Sequence, residues 1–327
     1  MQRWSWNVMA RGALVAAGLA WLAAGPAAAQ GELPKTVRIV VPFSAGGSND
    51  LFARAIGQRI ASKFNVTVVV DNKPGAGGSI GSDMVARAEP DGGTLLLTSV
   101  SFSTNAAVQP KLPYDPLKSF APVALVSRGP MLLVVSSQTP FKTTAQLLAA
   151  AKDSKGRMNY GSAGIGSVGQ MGSELLNAMA GTQVQHVPYK GISNAVSDMI
   201  GGNVEMMVTT AASVNGPLRA GSIRPIAVTS AQRSKFAPDL PTVAESLPGF
   251  AVEAWWGVFA PAKTPKALVD KLNAEIRAAG QTDELRELYA RESTEAGTMT
   301  ADQFASFVAT EVGKWSKLAK DRNITAE

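Results

Sequence analysis

The chain contains no cysteine and a single histidine, His186. Without cysteine it can form neither a disulfide nor a lipid-bearing lipobox residue. With one imidazole and no acidic cluster at ligand spacing, neither a zinc nor a calcium site is expected. Charge is also sparse. Only 17% of residues are Asp, Glu, Lys or Arg, and they form no block of one sign. That pattern excludes nucleic acid as a partner. No run after residue 29 is apolar enough, for long enough, to cross a bilayer.

What is present is material for a core. Of 327 residues, 46% are hydrophobic, which suits two domains that hold themselves together by burial alone. The first 29 residues are read apart from the rest. Arg3 and Arg11 precede an apolar run over 13–24, and "GPAAAQ" places Ala27 and Ala29 at A-x-A positions. This predicts a secretory signal cleaved after Ala29 and an exported mature protein. A membrane anchor fits less well, because the run falls short of the ~20 residues of a span. Loss of Arg3 and Arg11 lowers the basic count from 31 to 29 against 25 acids, a net charge of +4. So small an excess suits an anionic ligand or plain solubility.

Apolar runs then alternate with amphipathic segments. "VRIVVPF" (37–43), "TVVVDN" (67–72), "GTLLLTS" (93–99) and "APVALVS" (121–127) read as strands, with helices in "SNDLFARAIGQRIASKF" and "SIGSDMVARAE" (79–89). "MLLVVSS" (131–137) opens a second series that runs through "MNYGS", "VQHVPY" (184–189), "VEMMVTTA" and "RPIAVTS" (224–230). The expected class is α/β: two doubly wound domains with mainly parallel sheets. The C-terminal part, with helices near 265–279, 283–291 and 301–320, packs back on the first domain. Domain 1 is thus 30–127 plus 253–327, domain 2 is 128–252, and crossings near 124–131 and 249–256 form a two-stranded hinge. A cleft between such domains suits a small ligand.

Two strand-turn-helix junctions are candidates for holding it. In "VPFSAGGSND" (41–50) the turn Ser44-Ala45-Gly46-Gly47 lets a ligand approach the backbone, and amides at a helix start favour an anion. An ordinary tight turn would use the same glycines. "GSAGIGSVGQ" (161–170) has the same architecture, with Gly164, Gly166 and Gly169 spaced G-x-G-x-x-G. A dinucleotide site also needs an acidic residue ending the next strand. Here "VQHVPY" closes on Tyr189-Lys190 instead, so no cofactor is expected. "GGSIG" (77–81) matches G-x-S-x-G, with Ser79 as nucleophile and His186 as base. However, seven residues separate Ser79 from Asp71 in the preceding strand, where a nucleophile elbow has none. Trp255-Trp256 could line a pocket or simply pack.

Several ordered stretches then coincide with one family. "IVVPFSAGGSNDLFAR" (39–54), "VVVDNKPGAGGSIGSDMVARAEPDGGTLL" (68–96), "LPYDPLKSFAPVALV" (112–126), "NYGSAGIGS" (159–167) and "HVPYKGISNAVSDMIGGNVEMM" (186–207) resemble the Bug-type periplasmic solute receptors. These are the binding components of tripartite tricarboxylate transporters. The resemblance runs over essentially the whole mature chain. It implies a non-enzymatic type II periplasmic binding protein, a monomer that closes on a carboxylated solute and contacts an inner-membrane permease transiently. It places the carboxylate at two loops, here Phe43, Ser44, Ala45, Gly46, Gly47, Asn49 and Asp50, and Ser162, Ala163, Gly164, Gly166 and Ser167. Gly78, Ser99, Ser103 and Trp255 are further ligand-binding candidates. Asp50 could instead cap its helix. Many relatives place a histidine after the second loop, in a pattern like G-S-x-x-H. Here Gly169 and Gln170 occupy that region, leaving its role unfilled. Delivery to a sensor kinase, or a secreted serine hydrolase, are the alternative functions.

Overall fold

Apolar, often β-branched runs make the buried strands of this chain, and most of them are followed by a helix. The computed structural model describes residues 32–326, so the leader and its cleavage after Ala29 lie outside the described residues. From Leu33 onward the chain clusters as one unit built on two sheets. The first series is β1 (Thr36–Val41), α1 (Ser48–Phe64), β2 (Thr67–Asn72), α2 (Ser79–Ala86), β3 (Thr94–Ser99), α3 (Ser101–Val108) and β4 (Phe120–Pro130). The second is β5 (Leu132–Ser136), α4 (Thr144–Asp153), β6 (Asn159–Ser162), α5 (Val168–Ala180), β7 (Gln185–Pro188), α6 (Ile192–Ile200), β8 (Met206–Thr209), α7 (Ala211–Arg219) and β9 (Ile223–Val228). The chain returns through β10 (Glu253–Pro261), α8 (Lys266–Ala279), α9 (Asp283–Glu292), β11 (Glu295–Ala296) and α10 (Ala301–Asp321).

The first sheet has the order β11-β4-β10-β3-β1-β2 and the second β7-β6-β8-β5-β9. Starting from β1 in one and β6 in the other, both read second, first, third, incoming strand, fourth. The incoming strand is the one that arrives from the other sheet. β10 lies antiparallel between β3 and β4, and β5 antiparallel between β8 and β9. Both sheets are therefore mixed rather than mainly parallel. The reason is topological: a strand entering from the opposite sheet meets its neighbours head to tail.

Two segments connect the sheets. β4 runs through Met131 into β5, and β9 reaches β10 through residues 229–252. Thr229, fully buried, ties them together. Its hydroxyl accepts from Met131 N–H at 2.8 Å and lies 2.7 Å from the Val252 carbonyl. Its backbone pairs with the same two residues.

Strand alternation puts Trp255 and Trp256 on opposite faces of the first sheet. Trp256 meets Phe52 of α1 at 5.1 Å, in a core shared with Leu272 and Ile276 of α8. Trp255 faces α10, with Phe304 and Val308. Each such fully buried side chain contributes about 1.5–3 kcal/mol over exposure. These two layers cover the two faces of the sheet that carries β1.

Candidate functional site

The loop from β1 to α1 ends in a cap without a side chain. Gly46 has φ +88°, and Gly47 is the N-cap at φ −85°. Asp50, three residues into the helix, compensates by reaching back, and its carboxylate accepts the Gly46 N–H at 3.1 Å. The same carboxylate takes Arg54 in a fork, with both nitrogen–oxygen distances at 3.0 Å. That guanidinium, chiefly, holds the Asp50 carboxyl below its ordinary pKa. Asn72, at the end of β2, donates to the Phe43 carbonyl at 3.1 Å, and Ser48 donates to Glu292 of α9 at 2.6 Å. Ser44, Ala45, Gly46 and Gly47 remain exposed, with open space at the Cα of both glycines.

The loop from β6 to α5 repeats this geometry with different chemistry. Gly166 has φ +79°, and Ser167 is the N-cap at φ −67°, its hydroxyl accepting from Gln170 N–H. Gln170, three residues into the helix, reaches back to accept the Gly166 N–H at 2.7 Å. Its amide nitrogen lies 3.2 Å from His186 Nδ1, and His186 Nε2 lies 2.7 Å from Ser162 Oγ. Ser162 Oγ in turn receives the Gly164 N–H at 3.1 Å. Burial lowers the His186 pKa, against a smaller opposing pull from Glu174. Ser162, Gly166 and Gln170 are buried, while Ala163 and Ile165 project outward.

Asn105 of α3 joins the two loops. Its amide donates to the Gly77 carbonyl, and its oxygen would stand 2.7 Å from a Cβ at Gly166. A Cβ on Gly78, next to Gly77, would lie 3.3 Å from the Phe43 ring. Phe43, Gly78, Asn105 and Gly166 therefore form a chain of contacts from one loop to the other. Of three further candidates, Ser99 and Ser103 are buried and Asn49 half-buried. Ser99 bonds Ser101 at 2.7 Å, whereas Asn49 Oδ1 and Ser103 Oγ have no hydrogen-bond partner.

Sequence reasoning missed Asn105 because "SFSTNAAV" is rich in Ser, Thr and Asn, which favour turns over helix interiors. Packing of α3 against α10 makes it helical. Gln170 had a visible signal, its place three residues after a capping serine.

Some expectations are corrected. Trp255 does not line the site. It is fully buried, with Nε1 donating to Glu311 at 3.2 Å. The amides of Gly46, Gly164 and Gly166 are not open to a ligand, since Asp50, Ser162 and Gln170 take them. Asp50 serves its own loop. The hydrolase pair is not assembled: Ser79 donates to the Ala76 carbonyl, and both His186 nitrogens are occupied elsewhere. Ser162 is beside His186 but is not activated, because Gln170 presents a donor to Nδ1, and the ring proton then sits on Nε2 facing Ser162. An open cavity of about 420 Å³ lies at the inter-sheet crossings, away from both loops. Its charged lining is paired, with Arg128–Glu253 at 3.9 Å and Lys235–Glu295 at 3.0 Å.

Comparison with known proteins bears on this geometry. The profile of the tripartite tricarboxylate transporter family receptor matches residues 52–324. The UPF0065 protein in the tcbD-tcbE intergenic region of a Pseudomonas species is 39% identical over 293 residues, 88% of this chain and 86% of its own. BugT of Bordetella pertussis is 32% identical over 301 residues, covering 91% and 92%. Among solved structures, R. palustris Rpa4515 with adipate superposes with TM-score 0.77 at 33% identity, covering 89% of this chain and 98% of that one. The periplasmic binding protein BugD gives 0.74 at 34%, covering 89% and 99%. MatC from Rhodopseudomonas palustris with bound malate gives 0.74 at 32%, covering 86% and 98%.

Proposed function

Because the chain belongs to the tripartite tricarboxylate transporter receptor family, the Bug-type periplasmic solute receptors, we propose that it captures a small carboxylate between its two loops. It then delivers the solute to an inner-membrane permease of that transporter class. The observation that carries this reading is the equivalence of the loops. Each follows the first strand of a sheet with the same strand order, each turns on a left-handed glycine, and Asn105 connects Gly166 of the second to Gly77, whose neighbour Gly78 lies against Phe43 of the first. Ligands of open α/β sheets sit at such strand ends. Adipate and malate, bound by two relatives, support a dicarboxylate as the solute class.

In this reading, 30–127 plus 253–327 form one lobe and 128–252 the other, and the pair β4 and β10 with Thr229 is the hinge. The leader is removed after Ala29 and the mature monomer works in the periplasm. Ligand shifts the lobes toward closure only by its preference for that state. Asn49 and Ser103 supply polar partners for the rest of the solute.

A thermal-shift panel of mono-, di-, tri- and aromatic carboxylates, adipate and malate included, tests the reading. A solute at 100 times its Kd adds about 2.7 kcal/mol of stability. Absence of any shift across the panel would sink it.

A further inference from the structure

The bonds around the second loop fix the tautomer of the chain's one histidine. Gly166 N–H occupies Gln170 Oε1, so only the NH₂ end of that amide is left to face His186 Nδ1. Nδ1 therefore accepts, and the ring proton resides on Nε2, donated to Ser162 Oγ. Ser162 receives the Gly164 N–H and returns its own proton to the Gly164 carbonyl, both at 3.1 Å. One uncharged imidazole thus holds two left-handed glycines, Gly164 at φ +117° and Gly166 at φ +79°, through one neighbour on each side.

We propose that Gln170 and an uncharged, Nε2-protonated His186 are the positioning residues of the second loop, and that carboxylate binding there requires this form. The proposal rests on the receptor reading above and adds its regulation by pH. A proton added at Nδ1 needs an acceptor. Gln170 can offer one only by turning its amide over, which gives up the Gly166 N–H. Gly166 is wedged against Asn105 and Val108, where a Cβ would come within 2.7 and 2.8 Å of their side chains. Gly166 is buried, so its freed amide would lose its only partner, and the loop must shift to regain one.

The groups around the imidazole do not rescue the charged form. β7 is an edge strand paired with β6 alone. From β6, Tyr160 stacks on the ring at 4.9 Å and 18°. Its hydroxyl donates to Glu174 of α5 at 2.7 Å, and the other Glu174 oxygen takes Arg322, just past α10, at 2.9 Å. Glu174 draws a proton toward His186, but both its oxygens are engaged, and burial outweighs it. From α5, Gln170 is uncharged. Just beyond β7, Tyr189 and Asp198 are bonded to each other at 2.5 Å.

His186 is the sole histidine, so its imidazole nitrogens are read without ambiguity by nitrogen-15 NMR of the mature protein. The expected result is the Nε2–H tautomer, with the Gly164 and Gly166 amide signals moving at the same pH midpoint as the ring, no ligand being present. The Nδ1–H tautomer, or amides that ignore the ring, would overturn the proposal. For binding, the Kd for adipate is measured by calorimetry from pH 7.5 to 5 in wild type and His186→Gln, and the ligand's own ionisation cancels in the ratio. Wild type should weaken relative to the variant by about tenfold per pH unit below the midpoint. A ratio that is flat, or that tightens with acid through direct attraction to an imidazolium, refutes the inference. Gln170→Glu accepts from both Gly166 and a protonated ring. It should raise the midpoint and abolish the acid sensitivity of the Gly166 amide, whereas Gln170→Met should lose the ordered amide at every pH. If adipate binds at no pH, the receptor reading for dicarboxylates fails, and the ligand-free NMR by itself upholds or refutes the coupling.

Discussion

The two loops are one backbone design held by opposite chemistries. In both, a left-handed glycine precedes the N-cap, and the third helical residue reaches back to its N–H. In the first loop that residue is Asp50, a carboxylate locked by Arg54, and the turn faces open space. In the second it is Gln170, a neutral amide backed by His186 and Ser162, with the turn wedged on α3. The charged clamp is tolerated in the first loop because Asp50, though buried, is paired with Arg54, whose guanidinium reaches solvent. A buried turn needs neutral partners, because an unpaired charge there costs several kcal/mol. The first loop is thus free to meet a solute, and the second is preset to receive it.

Glycine substitutions should separate the loops most widely. Gly47→Asp has room and an ordinary φ, so its unfolding free energy should stay within ~0.5 kcal/mol of wild type. Its added carboxylate should weaken dicarboxylate binding on the order of a hundredfold, read by calorimetry. Gly166→Asp meets Asn105 and Val108 in a left-handed conformation and should lose about 2–4 kcal/mol in denaturant unfolding. Equal stability of the two variants would remove the contrast.

The support beneath the second loop is tested next. Arg322→Ala leaves the buried Glu174 with Tyr160 alone. Arg322 is 32% exposed, so the loss should be about 1–2 kcal/mol, below the roughly 3–5 of a fully buried pair. Glu174→Gln, whose amide oxygen still accepts from Arg322 while its NH₂ can donate to the Tyr160 hydroxyl, should cost less. The reverse order would mean that the bridge does not brace this loop.

Acid should loosen the loops in sequence. His186 has a folded pKa below its ordinary 6.5, so its contribution is complete above 6.5 and fades as pH falls through the lowered folded value. Asp50 is held below 3.8, so its contribution persists until pH drops under that value. Between these points, hydrogen exchange should quicken at Gly166 before Gly46. Simultaneous loosening would contradict the two-clamp account. The smallest effect belongs to Asp50→Asn, which keeps an acceptor for Gly46 and loses the charge on Arg54. A decrease of about threefold in dicarboxylate affinity is expected, since neutral bonds are roughly half as strong. A loss as large as that of Gly47→Asp would place Asp50 against the solute itself.

Much of this protein was legible along the chain, because strand and helix periodicity is local. The runs at 37–43, 93–99 and 131–137 mark β1, β3 and β5, and the glycine turns mark both loops. Local reading stopped where partners are distant in sequence. It took the sheets for mainly parallel, since no local pattern announces that β10 will enter between β3 and β4. It offered Trp255 to the ligand, although period-two alternation only says that two adjacent tryptophans part company, not which core receives each.

The sequence by itself determined the α/β class, the two strand-turn-helix junctions and the family. Only the tertiary structure decided which amides the loops keep for themselves, that Asn105 stands between them, and that His186 is wired to Gly166 through Gln170. Those outcomes depend on side chains meeting across elements, where burial and the demand that each buried donor find an acceptor select one arrangement among many.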